Sequence, residues 1–214
     1  MKRTWIHCLL TVEVFLGALC PIGRAIPIYE NILPNGTGAF TALEIGDEVY
    51  AAGTAREVTQ IQVGLSMQGY TGSAGFVLRI YDNTGANGAP GALLWQSAFL
   101  QNVSIAASPQ LVSFNVPDIL VPNVFTWTLQ GFNETPVAVE YDAASSPSIG
   151  GNPSYSWFGG PGQWTQSPDT VYMSQVDAET VPDKLNAGLA GLGIFGFILG
   201  GRAWLRYSSP GARR

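Results

Sequence analysis

The stretch V124-F-T-W-T-L-Q130 decides the fold. Phe125, Trp127 and Leu129 alternate with Thr126, Thr128 and Gln130. Successive side chains of a β-strand point to opposite faces, whereas a helix returns to the same face every three to four residues. An apolar period of two is therefore a strand with one face in a core and one face turned outward.

The same period recurs on either side. In Thr59–Ser66 (TQIQVGLS), Ile61, Val63 and Leu65 face inward and Gln60 and Gln62 outward. In Gly75–Asp82 (GFVLRIYD), Phe76, Leu78 and Ile80 oppose Val77, Arg79 and Tyr81. Shorter candidates are DEVYAA from Asp47, ALLWQSA from Ala92, QLVSFNV from Gln110, PVAVEY from Pro136 and TVYMSQV from Thr170. Turns rich in Gly, Pro, Asn and Ser separate them, and no long 3.6-residue period lies between. The expected class is all-β, an antiparallel two-sheet β-sandwich of the jelly-roll kind over residues 26–180.

Both ends of the 214-residue chain read as processing signals. Residues 1–25 carry Lys2 and Arg3, an apolar stretch from about Ile6 to Leu19, and small residues at Gly23 and Ala25, the pattern of a signal peptide cut after Ala25. An uncut N-terminal membrane anchor is the alternative, and Glu13 interrupts the apolar stretch in either case. Cys8, Cys20 and His7 all fall in this leader, so the remaining domain has neither thiol nor imidazole. That excludes disulfides, Ser/His/Asp and Cys/His catalysis, and histidine metal sites.

From Ile26 to Asp183 the only basic residues are Arg56 and Arg79, while all the acids of the chain except Glu13 lie there. The chain has a formal net charge of -5, and an acidic body repels phosphate backbones, so nucleic acid is excluded as a partner and neutral or cationic partners are expected.

Three local patterns carry chemistry. Tyr81–Leu94 (YDNTGANGAPGALL) offers Asp82, Asn83 and Asn87 as oxygen ligands for calcium, although it lacks the closing acid of an EF-hand and reads equally as plain turn chemistry. Asn152–Trp164 (NPSYSWFGGPGQW) sets Tyr155, Trp157, Phe158 and Trp164 in a Gly/Pro-rich loop. Tyr155, Trp157 and Trp164 are candidate platforms for stacking on sugar rings, the alternative being that they close one end of the core. Glu44, Asp47 and Glu48 form one acidic group and Glu140 with Asp142 another, the only residues on which a carboxylate-based glycoside hydrolase could rest. Sequons occur at Asn35, Asn102 and Asn133 and decide nothing about the source.

The tail V181-PDKLNAGLAGLGIFGFILGGRAW-L-R206 has no charge from Leu185 to Gly201, which at the helical rise spans about 25 Å. With Ala203, Trp204 and Leu205 it makes a transmembrane helix over about 185–205. The basic segment 202–214, beginning with Arg202 and Arg206, puts the C-terminus in the cytoplasm and the domain outside. Val181, Pro182 and Asp183, then this helix and its arginines, resemble the PEP-CTERM sorting signal of Gram-negative bacteria in a VPD-type variant. Asp183 stands where the commonest form has Glu followed by a second proline. Gly46–Ser66 followed by Arg79–Ser97 is similar to the choice-of-anchor ectodomains often joined to that signal.

The resemblance implies an exosortase as processing partner, passage through the membrane by the C-terminal helix, and a final place on the outer surface or in the extracellular matrix. It also implies extracellular polysaccharide or surface proteins as partners, and no catalytic residues. The expected function is a non-enzymatic surface or matrix protein without a required cofactor. The alternatives are a carbohydrate-binding module with calcium at Asp82, and then the glycoside hydrolase.

Overall fold

In the structure, a computed structural model, residues 24–33, 36–39, 44–132, 137–142 and 147–181 are described. The period of two becomes strands throughout these residues: β1 (Ile26–Asn31), β2 (Gly36–Ala39), β3 (Glu44–Tyr50), β4 (Glu57–Ser66), β5 (Gly72–Asp82), β6 (Leu93–Gln96) and β7 (Leu100–Ile105). They continue as β8 (Gln110–Leu120), β9 (Val124–Phe132), β10 (Ala138–Asp142), β11 (Tyr155–Gly159), β12 (Thr165–Pro168), β13 (Val171–Tyr172) and β14 (Ser174–Glu179). A 3₁₀ turn, Ala86–Gly88, is the one helical element among the described residues. The protein is all-β with antiparallel sheets.

One sheet runs β1-β14-β4-β10-β13, with β2 on β10 and β8 on β4. The other runs β12-β11-β3-β9-β5-β6, with β7 on β5. Their apolar faces meet in a single core. Phe76, Leu78 and Ile80 from β5 and Phe125, Trp127 and Leu129 from β9 are fully buried, as are Ile61, Val63 and Leu65 from β4. Phe76 meets Phe114 of the opposite sheet edge-on, ring centres 5.9 Å apart, and Trp127 lies against Tyr172 at 6.2 Å. Removing a side chain as large as Trp127 from such a core costs about 3–5 kcal/mol.

Strands β1, β2 and β7 were not among the segments expected from the sequence, and three of the expected segments turn out differently. DEVYAA belongs to a strand that begins at Glu44 and stops at Tyr50, because Ala51 turns away to donate its N–H to the Asn123 carbonyl at 2.9 Å. TVYMSQV is broken at Met173 into β13 and β14. The aromatic stretch expected as a loop is largely a hairpin, in which β11 and β12 pair from Tyr155↔Pro168 to Phe158↔Thr165.

The leader to residue 23, the sorting residues Pro182 and Asp183, the helix at 185–205 and the basic residues Arg202 and Arg206 lie outside the described residues. Among the described residues no helix is long and apolar enough to cross a membrane.

The approach of β3 to β9 is tightest at Gly46. A Cβ built there would run into the Trp127 carbonyl oxygen and come within 2.7 Å of the Thr128 Cα, both backbone atoms that cannot swing aside. Gly46→Ala is therefore expected to lower stability by roughly 3 kcal/mol or more, since overpacking against a neighbouring strand must separate the ladder. Urea unfolding of the variant beside the parent checks this, and an unchanged midpoint would show that the two strands can part freely.

Candidate functional site

Antiparallel register sorts the second sheet into rows. Trp157, Gly46, Thr128, Arg79 and Gln96 are successive cross-strand partners and share the outer face, with Gln166 opposite Trp157 on β12. The next outer row holds Glu48, Thr126 and Tyr81. Ser156, Asp47, Trp127 and Ile80 form a row facing the core.

Thr126 and Thr128 point outward as expected from the alternation, yet both are fully buried. A second layer covers them. Trp164 meets Tyr81 edge-on with ring centres 5.5 Å apart, and the Thr126 hydroxyl donates to Asn83 Oδ1 at 3.1 Å.

Under this cover the two outward acids are held in place. Glu44 takes an ion pair from Arg79 Nη1 at 2.5 Å and accepts from the Tyr81 hydroxyl at 3.2 Å and the Thr128 hydroxyl at 2.9 Å. Arg79 also donates to Gln130 Oε1 at 3.0 Å and Gln96 Oε1 at 2.7 Å. Burial, and then the Glu44 charge, push the Tyr81 phenol well above its ordinary range. Glu48 accepts from the Tyr155 hydroxyl at 3.2 Å, and burial followed by the Glu48 charge pushes Tyr155 up to about 12.

The two outward acids are held by different partners, Glu44 by Arg79, Tyr81 and Thr128 and Glu48 by Tyr155. Glu44 and Glu48 are four residues apart on one strand, so their backbones are separated by about 13 Å. Asp47 lies on the other face. The side chains of Glu140 and Asp142 lie outside the described residues, although their strand, β10, is placed between β4 and β13.

Two sequence patterns that were read separately meet on the outer surface. The 3₁₀ turn and the β11–β12 hairpin enclose a groove of about 310 Å³ lined by Ala86, Asn87, Trp157, Trp164, Thr165 and Gln166. Asn87 sits in the left-handed region at φ 57°, the backbone shape that Asn tolerates in turns. Trp164 is half-buried and keeps part of its indole at the surface. Trp157 is only 3% exposed, so it is a wall of the groove and not an open platform. Tyr155 packs edge-on against Trp157 at 5.4 Å, and its hydroxyl is engaged by Glu48.

Of the calcium candidates, Asp82 uses one carboxylate oxygen within the turn and Asn83 turns its oxygen to the sheet. Asp82 Oδ1 accepts from the Thr84 N–H at 3.2 Å, the Thr84 hydroxyl at 2.7 Å and the Ala92 N–H at 2.7 Å. The Thr84 hydroxyl is the chief reason its carboxyl is held below the usual range. Asn83 accepts from Thr126 and donates to the Gly88 carbonyl at 3.0 Å, which ties the turn to the sheet. Among the described residues no three His, Cys, Asp or Glu side chains cluster as metal ligands.

Asp47 is the unexpected residue. It is fully buried on the core face, and its Oδ2 accepts the Tyr172 N–H at 2.7 Å across the gap between the sheets. Its Oδ1 has no partner, and neither has the buried Nε1 of Trp127, its cross-strand neighbour. Burial raises its pKa well above the ordinary carboxylate value, outweighing the Tyr172 hydrogen bond.

Comparison with known protein families, characterised proteins and solved structures finds no match for this chain.

Asp47 makes stability depend on pH in a definite direction. A carboxyl whose folded pKa is raised favours the native state fully below the unfolded value of about 3.9, and this advantage is lost as pH rises through the folded pKa. Tyr172, which faces it, is pushed up to about 12, chiefly by burial, and stays neutral across that range. Asp47→Asn keeps an oxygen for the Tyr172 N–H without the charge. The variant is expected to gain stability over the parent as pH rises from about 4 to 7. Thermal melts of both proteins across this range check it; a constant difference would mean that Asp47 does not titrate in the folded protein.

Proposed function

We propose that this chain is an exported, non-enzymatic cell-surface or extracellular-matrix protein of a Gram-negative bacterium. Its sheets form a jelly-roll-like sandwich that serves as an interaction module, and a PEP-CTERM-like tail delivers it through an exosortase.

The observation that carries the reading is where the sheets end. β1 begins at Ile26, directly after the expected leader cut, and β14 ends at Glu179, two residues before the sorting motif. These two strands pair with each other, Ile26 opposite Ala178. Arg24 and Ala25 at one end and Thr180 and Val181 at the other are exposed and outside the ladders. The compact unit to which these strands belong ends at Thr180. Cleavage after Ala25 and beyond Val181 therefore removes two signals without breaking a hydrogen bond between strands, next to residues that are open to a protease.

The interior chemistry favours a module over an enzyme. Glu44 and Glu48 are engaged by an arginine and by phenols, and Asp47 holds the two sheets together.

Intact-mass analysis of the protein recovered from the surface and medium of its native host tests this. The expected species begins at Ile26 and ends between Val181 and Asp183, with or without an added group. A mass that retains Leu185–Arg214 would identify the tail as a permanent anchor and remove the exosortase from the account.

A further inference from the structure

The groove between the 3₁₀ turn and the β11–β12 hairpin has a selective lining. Its walls carry two indoles, Trp157 and Trp164, the amides of Asn87 and Gln166 and the hydroxyl of Thr165, with no charged side chain. Indole surfaces accept the C–H faces of a sugar ring, while amides and hydroxyls exchange hydrogen bonds with its hydroxyl groups. Trp157 is 3% exposed and its Nε1–H is buried, so it shapes the wall while Trp164 presents the accessible indole.

The charge of the domain narrows the ligand further. Its two basic residues, Arg56 and Arg79, are both committed to the fold. Arg79 is held by Glu44, Gln96 and Gln130. Arg56 binds Asn123 Oδ1 at 2.9 and 2.7 Å and the carbonyls of Ala51, Ala52, Gly53 and Ala55. From Ile26 to Val181 no cation is left among the described residues to meet a uronate, sulfate or phosphate, and the net negative charge of the chain disfavours such groups.

We propose that this groove is a binding subsite for a neutral hexopyranose unit of a matrix polysaccharide, with Trp164 as the stacking surface and Asn87, Gln166 and Thr165 as hydrogen-bonding partners. The volume of about 310 Å³ is at the small end for ligand sites, which suits a sugar unit or two of a longer polymer. The groove is pre-formed: Trp164 is braced by Tyr81, and the turn is tied down through Asn83. The source of the polymer, though not the binding chemistry, rests on the surface-protein reading.

The test is titration of the full chain with neutral hexasaccharides of β-1,4-glucan, β-1,3-glucan and α-1,6-mannan, and with an oligouronate as the anionic comparison. Binding is read by calorimetry and by indole fluorescence. At least one neutral oligosaccharide should bind saturably with a change in indole emission, the oligouronate should not bind, and Trp164→Ala should weaken binding about tenfold. Because Trp164 braces Tyr81, its loss can disturb the fold. Gln166→Ala and Asn87→Gly alter exposed side chains, the latter at a backbone shape that glycine favours, and should each weaken binding about threefold with an unchanged melting temperature. Absence of binding to every neutral oligosaccharide would overturn the proposal. So would equal binding of the oligouronate, or full binding by all three variants. Sugar binding by a protein whose tail is retained in its host would reject the sorting account alone; correct processing without sugar binding would reject the groove alone.

Discussion

The close approach of β3 to β9 at Gly46 sets the rest of the second sheet. A side chain there would strike the Trp127 carbonyl, so the outer face has a gap in its middle row between Trp157 and Thr128. On either side of this gap Glu44 and Glu48 rise outward, and Asp47 is directed into the core. The second layer uses the same low relief. Trp164 belongs to the loop before β12 at the sheet edge, yet it touches Tyr81 on β5, four strands along, a distance of about 19 Å at ordinary strand spacing. Gly159 at φ 135° and Gly162 at φ 80° allow that loop to fold back over the sheet. The groove is the space left between this loop and the 3₁₀ turn.

Much of the architecture was legible because the period of two is a direct imprint of half-buried strands. Phe125, Trp127 and Leu129 announced their side of the sheet, and so did Ile61, Val63 and Leu65. Asp47 was legible in principle: it is in phase with Ile45 and Val49, both buried, which places its carboxyl in the core. Grouping it with Glu44 and Glu48 by nearness in sequence obscured that phase. The cover over Thr126 and Thr128 was not legible, since it depends on a loop returning from the far edge of the sheet. Nor was the β11–β12 hairpin, whose Ser, Gly and Pro residues read as loop when its pairing with β3 is unseen. The groove was visible only as two unrelated fragments, one aromatic and one rich in Asn and Gly.

Electrostatics give the domain a divided character. Its two arginines are consumed internally, one by a cage of carbonyls around residues 51–55 and the other by the buried Glu44. Arg79 and Glu44 have side chains only 14% and 5% exposed, so removing either partner would strand a charge away from water. What remains outside is acidic and polar, which biases encounters away from anionic polymers. Recognition by such a surface has to come from shape, aromatic faces and neutral hydrogen-bonding groups.

Asp47 adds a polar link between the two sheets to their apolar contact. β13 is only two residues long and pairs with β10, and its Tyr172 N–H faces the opposite sheet, where it needs an acceptor. An inward carboxylate on β3 supplies one. The seam lies directly before β14, and β14 is hydrogen-bonded on both sides, by β1 and by β4. If the tail beyond Glu179 fixes the protein to a surface, a pull along it acts parallel to two ladders whose bonds must break together, and not at the end of one that can open bond by bond. The strand leading to the proposed anchor is an interior strand, which is the position from which a tethered sheet resists extraction best.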